Sequence, residues 1–204
     1  QGIRTRAGKD HLLQVYVRRG DLGKTEHAMA SLVASVVWDE ARFGLPLILS
    51  ELGTSAGLNL LWDHYALRIG DQSFGPADPA LTLTPDWTGP PPPHATPAIL
   101  DRRGTDLNPL DPVADRLRLL AYLWPDQPDR LARTRTALDL AAQARPQIDR
   151  ADAADWLETR LANPTPDPTP DALHLVFHTV AWQYFPPATQ RRALAAMEAA
   201  SRHT

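Results

Sequence analysis

The chain has 204 residues, a formal net charge of −3, 43% hydrophobic residues and no cysteine. That is apolar material for one packed core, without disulfides or thiolate metal sites, and without a charge excess that would draw nucleic acid or anionic membrane. No run of about 18 apolar residues and no signal-peptide pattern occurs, so a soluble, cytoplasmic protein with neither membrane nor nucleic-acid partners is expected.

Lysine occurs only at Lys9 and Lys24, so the basic residues are nearly all arginine, a compositional bias rather than a binding patch. Gln1 stands first instead of methionine, which fits a piece of a longer protein. Residues 1–24 read as an irregular segment, in which His11 to Arg19 is a short strand or a helical turn. Thr25 then caps a helix from Glu26 to Phe43, and Gly44 takes the position after its last turn. Pro46 opens the first strand, Leu47 to Leu49, which leads through Ser50 and Glu51 into a turn, Gly53-Thr54-Ser55-Ala56-Gly57. Leu58, Leu61, Trp62 and Tyr65 recur at i, i+3, i+4 and i+7, which predicts an α-helix after the turn.

Residues 67–96 read as a proline-rich surface insertion, either a rigid loop or a lid, with Pro90 to Pro93 as a polyproline stretch. Ile99 and Leu100 begin a second strand that ends near Asp106. Asn108-Pro109 and Asp111-Pro112 are turn chemistry, and Asp111 caps a helix whose buried face is Val113, Leu117, Leu120, Ala121 and Trp124. Another helix follows from Asp129 to Ala144, with Leu131, Leu138, Ala141 and Ala142 inward. Pro146 to Asp149 is a third strand. After Asp152 comes a helix through Trp156, Leu157 and Leu161, then a proline-spaced linker over 163–171. Ala172 to His178 is the last strand, and Pro186-Pro187 opens a helix that buries Leu194 and Met197. Strands alternating with helices predict an α/β fold over residues 25–204: a Rossmann-like, mainly parallel sheet with helices on both faces.

The glycine turn supports two chemistries. Read as E-x-G-x-x-x-G, it is a nucleotide-binding loop at the carboxyl edge of the sheet, where ligands of such folds bind. Glu51, Asp106 and Asp152 then stand at or just past three strand ends, placed to accept ribose hydroxyls or an exocyclic amine in hydrogen bonds worth roughly 1.5–3 kcal/mol each. The plainer reading makes these acids helix caps, which suits Asp152 better than Asp106. Read as G-x-S-x-G, the same turn is a hydrolase nucleophile elbow with Ser55 at its tip, followed by Asp106 or Asp152 and then His178 in the required chain order. Only 46 residues precede Leu47, too few for the strands a hydrolase sheet places ahead of its elbow. No three-glycine dinucleotide fingerprint is present. No metal site is expected either: on a strand, His174 and His178 lie roughly 13 Å apart.

The stretches ELGTSAGLNLLWDHYA, RRGTDLNPLDP, RLLAYLWPDQPDRL, RADAADWL and LVFHTVAWQYFPP occur in this order over about residues 25–203. On them the chain resembles a bacterial family of uncharacterised proteins, the domain of unknown function numbered 2332. That pattern is similar to class I S-adenosylmethionine-dependent methyltransferases: an E-x-G loop after one strand and an acid after each of the next two. The resemblance implies S-adenosylmethionine as cofactor, held by Glu51, Gly53, Thr54, Ser55, Gly57, Asp106, Leu107, Asp152 and Ala153, and methyl transfer to a small-molecule substrate. Thr54-Ser55-Ala56 stands where those enzymes carry a further glycine. They also continue through three more strands, so the sheet is cut short at the C-terminus or completed outside this chain. His178, at the last strand end, is the first candidate for a catalytic residue, with Trp182, Tyr184 and Phe185 as pocket wall or core. A fold that has lost the cofactor and acts without catalysis is the competing expectation.

Overall fold

Every residue of Leu47–Leu52 is buried, Ser50 and Glu51 included, as a strand flanked on both edges by other strands and covered on both faces must be. The computed structural model describes residues 12–14, 44–85, 87, 91, 93–94, 96–162 and 172–201. The helix expected over 26–43 and the linker 163–171 lie outside the described residues. The described strands are β1 (Leu12–Gln14), β2 (Leu47–Leu52), β3 (Tyr65–Ile69), β4 (Gln72–Phe74), β5 (Leu81–Leu83), β6 (Ile99–Asp106), β7 (Gln147–Arg150) and β8 (Leu173–Phe177). The α-helices are α1 (Arg116–Ala121), α2 (Pro128–Ala144), α3 (Ala153–Ala162) and α4 (Pro187–Ala200). No described helix is long and apolar enough to cross a membrane.

Five strands form one sheet in the order β1-β8-β2-β6-β7, and all its pairings are parallel. Successive side chains of a strand point to opposite faces, which divides the core in two. Leu47, Leu49, Leu173, Leu175 and Phe177 pack with Leu60, Leu61 and Trp62 and with Ala137 and Ala141 of α2. Leu52 and Val176 pack on the other face against Ala154 and Leu157 of α3 and Ala193 and Met197 of α4. From β2 the chain steps outward through β6 to β7, then returns to place β8 on the other side. The gap between β2 and β8 is therefore the point where the winding reverses, and the carboxyl ends of the strands open there into a crevice.

The four strands expected from 47 onward are all present, and Leu12–Gln14 adopts the strand of the two conformations expected for His11–Arg19. Three other expectations fail. Leu58–His64 is a 3-10 helix rather than the start of an α-helix; Leu61 leaves helical geometry at φ −104°, and Tyr65 already belongs to β3. Residues 65–83 are no plain surface excursion: β3, β4 and β5 form a second sheet in the order β4-β3-β5. Gly70 and Asp71 make the two-residue hairpin between Ile69 and Gln72, with Gly70 at φ +58°. Finally, the helix after Asp111 shrinks to α1, because Asp111 accepts the Val113 and Ala114 N–H groups at 2.8 and 2.7 Å in a turn of its own. Its supposed buried face points outward, with Leu117 84% and Trp124 70% exposed. Periodicity says which side chains share a face; it does not say what covers it.

Helix α2 ends on Arg145 at φ +47° and ψ +62°, a left-handed position that donates its N–H to Ala141 O at 2.9 Å. A side chain there is strained and glycine is not. Arg145→Gly should therefore raise stability by about 0.5–1 kcal/mol, read as a melting temperature higher by about 1–4 °C. A lower melting temperature would assign the exposed arginine a role that its geometry does not show.

Candidate functional site

The turn after β2 is tied to the end of β6. Gly53, at φ +71°, and Thr54 both donate their N–H groups to Thr105 O, at 2.8 and 3.0 Å. Ser55 is also left-handed, at φ +54°; its N–H donates to Asp106 Oδ2 at 2.9 Å and its carbonyl accepts from Leu110 N–H at 3.1 Å. Close packing fixes the glycines. A Cβ on Gly53 would stand 2.1 Å from Ala181 Cβ, and one on Gly57 2.7 Å from Pro146 Cγ. Gly104, which sequence reasoning passed over, leaves room for Thr54, whose Cγ2 would lie 2.6 Å from an added Cβ.

These contacts frame a pocket of about 460 Å³ in the crevice at the carboxyl edge. Gly53, Thr54, Ser55, Asp106, Leu107, Asp152 and Ala153, all expected from the sequence, line it. So do Asn59, Thr105 and Ala151, and the segment after β8 closes the far wall with Thr179, Ala181, Tyr184 and Phe185. Among the described residues, the lining contains two carboxylates and no lysine, arginine or histidine.

Both carboxylates are held rigidly. Asp106 accepts Ser55 N–H on Oδ2 and Asn108 N–H on Oδ1, at 2.9 and 2.8 Å. Asp152 caps α3 through the Ala154 N–H at 2.8 Å and accepts the Thr189 hydroxyl on Oδ2 at 3.1 Å. The capping role weighed for Asp152 is thus present together with its place in the pocket wall. A carboxylate offers about four lone-pair sites, so Asp106 keeps acceptor capacity after two backbone bonds.

Glu51, Gly57 and His178 are not in the lining. Glu51 lies beneath the turn, 1% exposed, accepting the Thr54 hydroxyl on Oε2 and the Asn59 amide on Oε1 at 3.0 Å. Burial pushes its carboxyl up to about 7; the Thr54 and Asn59 hydrogen bonds pull the other way, and the charge of Asp106 adds to the rise. His178 stacks on Trp182 with ring centroids 5.2 Å apart, and burial lowers its imidazole to about 4. Of the Ser-Asp-His set weighed for a hydrolase, Ser55, Asp106 and Asp152 line the pocket and His178 does not.

A different serine and histidine do meet. Ser50 Oγ lies 2.8 Å from His174 Nε2 and accepts from Arg160 Nε at 3.2 Å, while Arg160 also ion-pairs with Asp101. With Ser50 0% and His174 7% exposed, under α3, this cluster is closed to substrate and serves the core. Among the described residues, no three His, Asp or Glu side chains gather closely enough to hold a metal ion.

The architecture defines a class: an α/β protein with a parallel sheet and an acidic pocket at its carboxyl edge. A family model described as an uncharacterized protein conserved in bacteria (DUF2332) matches residues 24–204, and the chain belongs to that family. Among curated proteins, aminopeptidase N of Escherichia coli (strain K12) is 51% identical over 41 residues, 20% of this chain and 5% of that enzyme. The likeness is local and covers a small part of either protein. No solved structure matches the chain.

Proposed function

We propose that the pocket at the carboxyl edge holds S-adenosylmethionine and that the chain is a methyltransferase acting on a small molecule. The observation that carries this reading is the charge of the lining: two anchored carboxylates and, among the described residues, no cationic side chain. Such a site repels phosphates and attracts a ligand rich in hydroxyls or bearing positive charge. An adenosyl sulfonium has both features. Asp106 has acceptor capacity for ribose hydroxyls, Leu107, Ala153 and Phe185 offer apolar surface for a base, and about 460 Å³ lies within the usual range of ligand pockets. The strand order, with the reversal between β2 and β8, is in keeping with this class of enzyme.

The cofactor, when bound, supplies an electrophilic methyl group. What the chain would contribute is position: Gly53, Thr54, Ser55 and Asp106 would hold the ligand, and Ala181, Tyr184 and Phe185 would form the opposite wall. Orientation of this kind needs no strong base, so no catalytic proton acceptor is required of His178.

Saturating S-adenosylhomocysteine should stabilise the fold by about 2.7 kcal/mol at a hundredfold excess over its dissociation constant. For a domain of this size, that is a rise of about 5–10 °C in melting temperature. ADP, with the same adenosine and added negative charge, should give a smaller shift. Asp106→Asn should weaken S-adenosylhomocysteine binding about tenfold or more. Asp63→Asn, which breaks the ion pair to Arg102 outside the pocket, should lower stability yet leave the ligand shift intact. No shift with the parent, or a larger one with ADP, would rule the adenosyl reading out.

A further inference from the structure

Glu51 is not part of the pocket lining, yet side chains that do line it are tied to its carboxyl. Thr54 donates its hydroxyl to Oε2. Asn59 Nδ2 donates to Oε1 at 3.0 Å and, from the same nitrogen, to Thr179 Oγ1 at 3.1 Å. Thr54 belongs to the turn after β2, Asn59 to the 3-10 helix and Thr179 to the segment after β8. One buried carboxyl thus connects polar groups on opposite walls of the pocket.

An ionised carboxylate only accepts hydrogen bonds, so the Asn59 amide must turn its NH2 toward Glu51. Thr179 Oγ1 then accepts from that NH2, and its own proton is left to donate elsewhere. A protonated Glu51 has an O–H to give. The amide can then turn over, which puts Oδ1 where Nδ2 stood, to accept from Glu51 and Thr179 together. In that arrangement Thr179 gives its proton to Asn59 and shows the pocket only lone pairs. We infer that Glu51 is a positioning residue that sets, through Asn59, whether Thr179 donates or accepts toward the ligand, and that the donor state receives the carboxylate of an adenosyl amino acid. Among the described residues the lining offers no cation, so that carboxylate depends on neutral donors. The identity of the ligand rests on the methyltransferase reading above; the relay rests on its own hydrogen bonds.

Burial pushes the Glu51 carboxyl up to about 7, so the relay turns near neutrality. Among the described residues, Asp106 at the end of β6 adds to that rise, and Tyr65 at the start of β3 is kept un-ionised by burial. His178, just past β8, is held neutral by burial, at about 4. Arg130 and Arg133 of α2 line a neighbouring cavity together with Asn59, and both have partners of their own.

Nuclear magnetic resonance of the whole chain without ligand tests the relay. Cross-relaxation between the Asn59 amide protons and the Thr179 methyl group should be present at about pH 8 and lost at about pH 5, with the midpoint of the Glu51 carboxyl carbon. Glu51→Gln should hold one amide orientation at both. Calorimetry then reads the pocket: S-adenosylhomocysteine should bind the parent about tenfold more tightly at the higher pH. Methylthioadenosine, the same nucleoside without the amino-acid end, should bind equally at both. Thr179→Val keeps the shape and loses the hydroxyl, so it should remove the pH dependence while the Glu51 carbon still titrates. A through-space effect of the Glu51 charge would survive that substitution, and a purely structural Glu51 would leave the parent's affinity independent of pH. Amide contacts unchanged at the lower pH, pH-independent affinity in the parent, or full pH dependence in Thr179→Val would each overturn the inference. If Thr179→Val does not fold, the two readouts in the parent still decide. An amide that turns in a protein that binds S-adenosylhomocysteine at neither pH would remove the adenosyl reading and leave the relay.

Discussion

Gly53→Ala should lower stability by about 2–5 kcal/mol, a fall of roughly 5–15 °C in melting temperature. Two costs add. At φ +71° any L-residue is strained, by roughly 1–2 kcal/mol. The new Cβ would also stand 2.1 Å from Ala181 Cβ, and both atoms are fixed to backbone, so neither can rotate away. Relief requires the turn after β2 and the segment after β8 to separate, at an overpacking cost of roughly 1–3 kcal/mol. Gly44 separates the two costs, because it has φ +62° and no described residue within 4 Å of an added Cβ. Gly44→Ala should therefore show the backbone strain alone. Ala181→Gly in the Gly53→Ala background should return most of the steric part, since it removes the opposing atom. Equal losses at Gly44 and Gly53, or no rescue, would show that these two segments do not meet as described. The same separation widens the pocket, so the S-adenosylhomocysteine binding proposed above should weaken in Gly53→Ala and recover in the double variant.

The parts of this architecture that the sequence displays are those with a local cause. Strands β2 and β8 appear as largely apolar stretches, β6 opens on Ile99 and Leu100 and ends at Asp106 as expected, and β7 follows the proline after α2. The acids past the strand ends and the glycine turn are legible because a strand–turn–helix junction must put them on one edge. What each acid faces is not local. Glu51 and Asp106 look equivalent in sequence, yet Glu51 points into the face of the sheet covered by the 3-10 helix, and Asp106 emerges at the rim. The pleat decides this. Glu51 shares a face with Leu47 and Leu49, and that alternation was available to place it inward.

The misread helix at Leu58 has a similar explanation. Leu58, Leu61, Trp62 and Tyr65 satisfy a helical period, but Tyr65, Leu67 and Ile69 also satisfy a strand period that runs into Gly70-Asp71. A Gly-Asp pair between two such runs is a hairpin signal and outweighs one helical repeat. Nothing in the sequence shows that Leu81 and Arg133 line one cavity, since they come together only when the small sheet packs on α2. Nor does any pattern announce the Asp101–Arg160–Ser50–His174 cluster, whose members lie on four different elements.

Glu51 gives the second large effect, and it depends on pH. The folded carboxyl titrates near 7 and the unfolded one near 4.5. As pH rises, the unfolded chain releases this proton first. The stability contributed by the neutral carboxyl is therefore complete below about pH 4.5 and is lost as pH climbs through 7, by about 3 kcal/mol in all. Two histidines act in the opposite sense. Burial, helped at His174 by the charge of Arg160, lowers the imidazoles of His174 and His178 from 6.5 to about 3 and about 4. Their contribution is complete above pH 6.5 and drains away as acid protonates the unfolded chain. The parent should accordingly be most stable between these limits, near pH 6–7. Glu51→Gln isolates the carboxyl, because it keeps the shape and has no proton to lose. Compared by denaturant unfolding, the variant should gain on the parent by about 2.5 kcal/mol between pH 5 and pH 8. A constant difference across that range would mean that the Thr54 hydroxyl and the Asn59 amide keep the carboxylate ionised throughout. The pocket would then sit above a third permanent negative charge beside Asp106, and its preference for a cationic ligand would be stronger than its own two carboxylates provide.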